Sequence, residues 1–141
     1  MTIKEQQDAI IEEFSFFNDW TEKYEYIIQL GKELPLIDEQ YKKEENLIRG
    51  CQSKVWLHAA LKDGKVYFTA DSDALITKGL VSMMVRVLSG QSPKDIADAP
   101  IYFIDEIGLK SHLSMTRSNG LLSMLKQMKL YSVAFQNNKC I

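Results

Sequence analysis

The chain has 141 residues, the length of one compact domain, and 45% of them are hydrophobic, which is enough to build one core. Its net charge of −2 and pI near 5.7 argue against nucleic-acid binding driven by bulk charge. The polar N-terminus lacks the apolar region of a secretory signal, and no run of about eighteen apolar residues predicts a membrane span. We therefore expect a cytoplasmic protein with one domain, residues 1–141, and neither a nucleic-acid nor a membrane partner.

The first third of the chain is predicted to be helical. Apolar residues recur at near-helical spacing up to Phe14, and the pattern breaks before Asp19. Asp19 can cap a second helix, with Glu22 in its first turn and Gly31 near its end. Pro35 then ends the helical region, because proline disfavours helical geometry at the residue before it.

The pattern changes after Cys51. From Val55 to Leu61 apolar residues alternate with others, which is the period-two signature of a strand. Asp63-Gly64 suits a tight primed turn, and residues 65–70 form a second strand. The sequence therefore predicts an antiparallel hairpin.

Two helices are predicted after the hairpin. Asp71 or Ser72 can cap the first, which carries a Leu- and Met-rich apolar face and ends at Gly90. Ser92 can cap the second, with Pro93 at its first helical position. In each case a side-chain oxygen would accept a hydrogen bond from a free backbone N–H of the first turn.

The rest of the chain predicts one long helix after an ambiguous segment. Residues 101–107 are apolar and fit either a strand or a helix. The last helix is predicted to begin near Thr116 or Ser118, and its inner face to carry Leu121, Leu122, Leu125, Met128 and Tyr131. A hairpin with helices before and after it indicates an α+β fold, in which a small antiparallel sheet packs against helices.

Cys51 is the candidate reactive thiol. Gly50 lets the backbone turn just before it, and the cation of Arg49 would favour the thiolate. Gln52 and Ser53 add donors that could bond the sulfur or orient the loop, and the strand that follows anchors it. A buried structural cysteine is the alternative, and these residues alone leave both interpretations open.

The sequence offers no partner that completes a catalytic pair with Cys51. His58 lies within a predicted strand and His112 precedes the last helix, and structural roles explain both positions better. The other cysteine, Cys140, is close to the C-terminus, and two cysteines alone cannot form a tetrahedral zinc site. Phosphate loops, dinucleotide fingerprints and Cys/His metal spacings are also missing from the sequence, so we expect neither a cofactor nor a metal.

Two charged residues stand out near predicted helix starts. Asp73 and Arg117 are each explained by the helix that follows, and this structural interpretation is the preferred one. As functional residues they would be exposed charges that fix the register of a partner protein.

Several segments carry a resemblance that spans nearly the whole chain. They occur in order as Asp19-Trp20, Lys23-Tyr24, Leu30-Gly31, Leu34-Pro35, residues 50–56, residues 70–74, residues 78–80, Ser92-Pro93, residues 112–114 and residues 117–121. Together they resemble the SufE family, the sulfur-accepting partners of SufS-type cysteine desulfurases in iron–sulfur cluster assembly. One departure is Met115, where the family usually has proline.

The resemblance implies a function and a set of site residues. Cys51 would take sulfane sulfur from a SufS-type desulfurase as a persulfide, stimulate that enzyme and relay the sulfur to an iron–sulfur scaffold. The chain would not itself be an enzyme, and the pyridoxal phosphate would belong to the desulfurase. Asp73 and Arg117 would contact the desulfurase or hold the Cys51 loop, whose thiol we expect to be partly covered and to swing out on docking.

Two alternatives belong to other classes of protein. An IscU-like iron–sulfur scaffold shares the expected fold but must supply several thiolates or imidazoles to iron, whereas only Cys51 lies in a plausible site. A cysteine hydrolase would need a base and an orienting group placed against the thiol. For the sulfur acceptor we expect a monomer or a weak dimer.

Overall fold

The computed structural model describes residues 1–51 and 53–138, without the side chain of Asn138, and it has an α+β fold. In chain order the helices and strands are α1 (Ile3–Ser15), α2 (Trp20–Gly31), β1 (Val55–Lys62), β2 (Lys65–Ser72), α3 (Leu75–Leu88), α4 (Pro93–Asp98), α5 (Phe103–Glu106) and α6 (Met115–Asn138). Short 3₁₀ turns occupy Glu39–Tyr41, Glu44–Asn46 and Leu109–Ser111. The predicted fold class is confirmed.

The first two helices begin at side-chain caps. Thr2 and Glu5 form a reciprocal capping box at the start of α1. The carboxylate of Asp19 accepts a hydrogen bond from the N–H of Glu22, which confirms the predicted cap of α2. Ser92 caps α4 in the same way through the N–H of Asp95.

The hairpin of β1 and β2 is also confirmed. Its register runs from Val55 opposite Ser72 to Lys62 opposite Lys65. Asp63 and Gly64 form the connecting turn with φ values of 53° and 78°, the left-handed geometry of a primed hairpin turn.

The outer edge of β2 is hydrogen-bonded to loops. The N–H of Val66 donates to the carbonyl of Gln91 at 2.9 Å, and that of Ala70 donates to the carbonyl of Pro35 at 3.1 Å. Between them, the N–H of Phe68 donates to the hydroxyl of Ser89 at 2.9 Å. The inward-facing strand residues are therefore fixed on both sides.

The predicted cap of α3 by Asp71 or Ser72 is wrong. The strand ladder continues through both residues, so α3 begins only at Leu75, with Ala74 at the cap position and no side-chain cap bond. The carboxylate of Asp71 instead forms ion pairs with Lys42 at 2.8 Å and Lys78 at 3.3 Å. Pairing with β1 across the hairpin thus overrides the capping signal at Asp71 and Ser72.

Helix α3 lies at the centre of the fold, packed between α2 and β2. It passes α2 at Gly79, where a Cβ would lie only 2.0 Å from the carbonyl oxygen of Ile27. Its buried side chains join the core, whose largest fully buried members include Phe68, Phe103 and Met84. Each such side chain stabilises the fold by roughly 1.5–3 kcal/mol relative to exposure.

A tertiary contact resolves the ambiguous segment 101–107. The buried side chain of Gln7 accepts hydrogen bonds from the N–H groups of Tyr102 and Phe103 and donates one to the carbonyl of Pro100. These bonds provide partners for main-chain polar groups at the point where α5, a single helical turn, begins.

Helix α6 covers the core and starts slightly earlier than predicted, at Met115. The hydroxyl of Ser114 accepts a hydrogen bond from the N–H of Arg117 at 3.2 Å. Of the predicted inner face, Leu121 and Met128 are buried, but Leu122 is 48% exposed and its assignment is wrong. Each helical step turns by about 100°, so Leu122 lies beside the stripe that Leu121 starts.

None of the helices in residues 1–51 and 53–138 combines the length and the apolar character that a bilayer span requires.

Candidate functional site

Cys51 lies in the loop that enters β1, and its side chain is half-buried against the core. Before it, the N–H of Ile48 donates to the carbonyl of Val55 at 2.8 Å, which closes the loop at its base. Gly50 has φ of 86°, a conformation that favours glycine, so the predicted backbone turn is present. The partial cover expected for the thiol is also present.

The thiol adjoins a small cavity of about 30 Å³ between the loop, α3 and α6. The walls of this cavity, which we call the thiol pocket, are mainly apolar and come from Val55, Leu80, Val81, Leu121 and Met124. Its polar lining is supplied by Ser53, Thr77, Thr116 and Arg117. The sequence does not predict this pocket, because its walls come from three distant parts of the chain.

Burial determines the acidity of the thiol. It raises the pKa of Cys51, since the half-buried environment disfavours the charged thiolate. The expectation that Arg49 favours the thiolate is wrong. The Arg49 side chain is exposed and borders a separate groove with Ser123 and Lys126, and it does not offset the cost of burial.

Asp73 holds the end of the Cys51 loop. Its carboxylate accepts a hydrogen bond from the N–H of Lys54 at 3.0 Å, and its own N–H donates to the carbonyl of Lys54 at 3.3 Å. These two bonds tie the residue after Ser53 to the end of β2. Holding the Cys51 loop is one of the two roles that the family resemblance implied for Asp73, whereas its place before a helix suggested a cap, a position that Ala74 occupies instead.

The other candidate residues take different positions. Arg117 lies exposed in the first turn of α6, at the edge of the thiol pocket. Ser53 also borders that pocket. Gln52 falls outside the residues that the structure describes, and so does Cys140.

Gly120 is the site residue that the sequence analysis missed. Helix α6 passes so close to the loop that a Cβ on Gly120 would lie 2.9 Å from Sγ of Cys51. The available signal was a glycine within a helix, which is less favourable than alanine by about 1 kcal/mol and so suggests a close contact.

Both histidines are engaged by aromatic neighbours. The ring of His58 stacks on Tyr41, and that of His112 stacks on Trp20, each with 3.8 Å between ring centroids. The carbonyl of His112 also accepts a hydrogen bond from the Tyr24 hydroxyl at 2.5 Å. Among the residues that the structure describes, His, Cys, Asp and Glu side chains do not gather in threes that could hold a metal ion.

Comparison with known proteins identifies the family. The family model for SufE, described as an Fe–S metabolism associated domain, matches residues 8–132. The chain belongs to the SufE family. This confirms the resemblance seen in the sequence, and it links the chain to iron–sulfur metabolism.

Bacterial relatives of the SufE family support the assignment over most of the chain. An uncharacterized SufE-like protein of Rhizobium meliloti is 41% identical over 128 residues, which cover 86% of this chain and 91% of the relative. One from Synechocystis sp. is 37% identical over 127 residues, which cover 90% and 80% of the two chains.

A solved structure shares the fold of this SufE-family chain. The solution structure of a hypothetical protein from Thermus thermophilus matches with a TM-score of 0.76 and 19% sequence identity. The match covers 92% of this chain and 94% of the other.

Proposed function

We propose that this SufE-family chain accepts sulfane sulfur on Cys51, as a persulfide, from a SufS-type cysteine desulfurase. In this proposal it stimulates the desulfurase and passes the sulfur to an iron–sulfur scaffold, as a monomer or weak dimer in the cytoplasm. The pyridoxal phosphate belongs to the desulfurase. The observation that carries the proposal is the half-covered thiol of Cys51 beside the mainly apolar thiol pocket.

The transfer needs only thiol–disulfide chemistry. The Cys51 thiolate attacks the terminal sulfur of the desulfurase persulfide, and a new S–S bond forms as the old one breaks. The desulfurase cysteine leaves as a thiolate and takes up the proton that Cys51 has lost. Atoms and electrons balance without an added oxidant or reductant.

The thiol pocket offers room for the extra sulfur atom. Its volume of about 30 Å³ exceeds the roughly 10–15 Å³ needed to hold one water molecule. Apolar walls from β1, α3 and α6 would shield a persulfide from reductants and oxidants in solution. A protected carrier state therefore fits beside the resting position of Cys51.

Burial raises the pKa of Cys51, so in this proposal the thiol leaves its cover to react. Docking of the desulfurase would move the loop outward, so that Sγ loses its apolar surroundings and ionises more readily. Gly50 and Asp73 then act at the two ends of the moving segment. Arg117, beside the thiol pocket, is the proposed contact with the desulfurase. Arg49, Gln52 and Ser53 are further proposed residues that bind the partner or support the loop.

Mass spectrometry after incubation with a SufS-type desulfurase and cysteine tests the proposal. We expect one added sulfur on the tryptic peptide of residues 50–54, which contains Cys51, and none on that peptide in Cys51→Ala. Cys140→Ser is the matched control and should load normally. Sulfur on the Cys140 peptide alone, or full stimulation of the desulfurase by Cys51→Ala, would overturn the mechanism.

A further inference from the structure

Helix α6 meets the Cys51 loop at a glycine. A Cβ on Gly120 would lie 2.9 Å from Sγ, 3.3 Å from Cα and 3.5 Å from Cβ of Cys51. Rotation of the Cys51 side chain could relieve the first contact, but the second involves the main chain. A larger residue at this position therefore requires the loop itself to move.

The backbone at Gly120 does not call for glycine. The residue lies within α6 and has ordinary helical geometry rather than a positive φ. Glycine in such a position is less favourable than alanine by about 1 kcal/mol. The structure shows what offsets this cost: glycine leaves space for the Cys51 loop to lie against α6.

We propose that Gly120 is a positioning residue. Because it has no side chain, the resting Cys51 thiol can lie directly against α6, a contact between Gly120 and Cys51 that we call the seat. This contact limits how often the thiol is exposed. This inference rests on the proposed function, because exposure of Cys51 then controls when sulfur can be accepted. Gly50 serves the same arrangement from the loop, since a Cβ there would lie 3.2 Å from Oγ of Ser123 on the same helix. Two glycines thus let the loop lie flush against α6.

The Gly120→Ala variant tests the seat without any desulfurase. Iodoacetamide labelling of Cys51 is followed on the tryptic peptide of residues 50–54, which separates it from Cys140. Near neutral pH we expect labelling to accelerate by roughly three- to tenfold, since thiolate fraction rises tenfold for each unit by which the pKa falls. The pH midpoint of the labelling rate should move down toward that of the unfolded chain.

Asn119→Ala is the matched control. Asn119 is the exposed neighbour of Gly120 on α6, so alanine there raises helix propensity without adding an atom at the seat. We expect its labelling rate and pH midpoint to equal those of the native protein. A purely structural role of Gly120 would change the urea midpoint of Gly120→Ala but leave the pH midpoint of labelling unchanged, and that result would overturn the inference.

A second variant covers the case in which Gly120→Ala does not fold. Adding Cys51→Ala removes Sγ, the contact at 2.9 Å, but leaves the main-chain contact at 3.3 Å, so the double variant should be more stable to urea than Gly120→Ala and less stable than the native protein. A double variant no more stable than the single one would overturn the proposed seat. Sulfur uptake by the native protein is a separate measurement, so failure of the proposed function would be recognised independently.

Discussion

The carboxylate of Asp73 links the Cys51 loop to the end of the hairpin. It accepts the N–H of Lys54, and this bond has a charged partner at a solvent-exposed position. Hydrogen bonds in proteins contribute about 1 kcal/mol net, and exposure keeps such a bond at the modest end of the range for charged groups. The contact is therefore strong enough to order the loop and weak enough to open.

Substituting Asp73 should loosen the loop. We expect Asp73→Ala to lower the free energy of unfolding by about 1 kcal/mol and to accelerate hydrogen exchange at the Lys54 amide. Asp73→Asn keeps an oxygen acceptor and should stay closer to the native protein. Equal exchange rates at Lys54 in all three proteins would argue against this bond as the loop's tether.

The sequence identified the thiol, and the family resemblance offered Asp73 as a residue that holds its loop, but the packing around the thiol was not predicted. Cys51 and the turn at Gly50 were predictable because polar flanking residues and a glycine precede a strand. The raised pKa of Cys51 and the contact with Gly120 were not, because both depend on α6, which lies about seventy residues further along the chain. Arg49 shows the same limit, since adjacency in sequence did not bring its cation to act on the sulfur.

Helices α1, α2 and α3 are joined by one polar cluster. The carboxylate of Glu13 on α1 accepts two hydrogen bonds from the guanidinium of Arg86 on α3, at 3.0 Å and 2.5 Å. The hydroxyl of Tyr26 on α2 donates to the same carboxylate. The bond with Arg86 lowers the pKa of Glu13, while burial and the bond to Glu13 raise the pKa of Tyr26 to about 12.

Replacing Glu13 should weaken this junction in a pH-dependent way. We expect Glu13→Gln to lower the free energy of unfolding by about 1–2 kcal/mol at pH 7. This value allows for solvent screening, because both charged side chains are about one-third exposed. The lowered pKa means that the ionised carboxylate stabilises the fold above its unfolded pKa, and that this contribution is lost as the pH falls through the folded pKa. Urea unfolding of the native protein and the variant should therefore differ at neutral pH and converge in acid.

Glu12→Gln provides the control, because Glu12 is the exposed neighbour of Glu13 on α1. Its unfolding free energy should match the native value at both pH values. A difference between Glu13→Gln and the native protein that persists in acid would contradict the role of the ionised pair.

Helices and strands were predictable where short stretches of sequence determine how they begin or turn. The caps at Asp19 and Ser92 and the turn at Asp63-Gly64 are short-range patterns, and each is present. Two features were decided by contacts outside their own segments: β2 extends through Ser72 because Val55 of β1 pairs with it, and α5 forms where Gln7 binds the chain. Only the second of these partners is distant in the sequence.

The core extends through the molecule from α1 to α6. Its buried side chains form one cluster, with members from both strands and from every helix. Trp20 on α2 packs against this cluster, while Trp56 lies on β1, opposite Asp71. The two tryptophans therefore report on different parts of one packed unit.

A continuous core predicts a single cooperative transition. We expect Trp20→Phe and Trp56→Phe, each with one remaining tryptophan, to show fluorescence transitions in urea that coincide with the loss of helical circular dichroism. Such coincidence would support the prediction that residues 1–141 form one domain. Two transitions separated in urea concentration, in either variant, would contradict it.

The loops along β2 also determine how another chain can be recognised at this edge. Many binding domains accept a peptide as an additional strand, which requires free main-chain groups along a sheet edge. In β2 the N–H groups of Val66, Phe68 and Ala70 already donate to Gln91, Ser89 and Pro35. A protein that approaches this side must be recognised by side chains, and the same closed edge removes a template on which copies of the chain could aggregate.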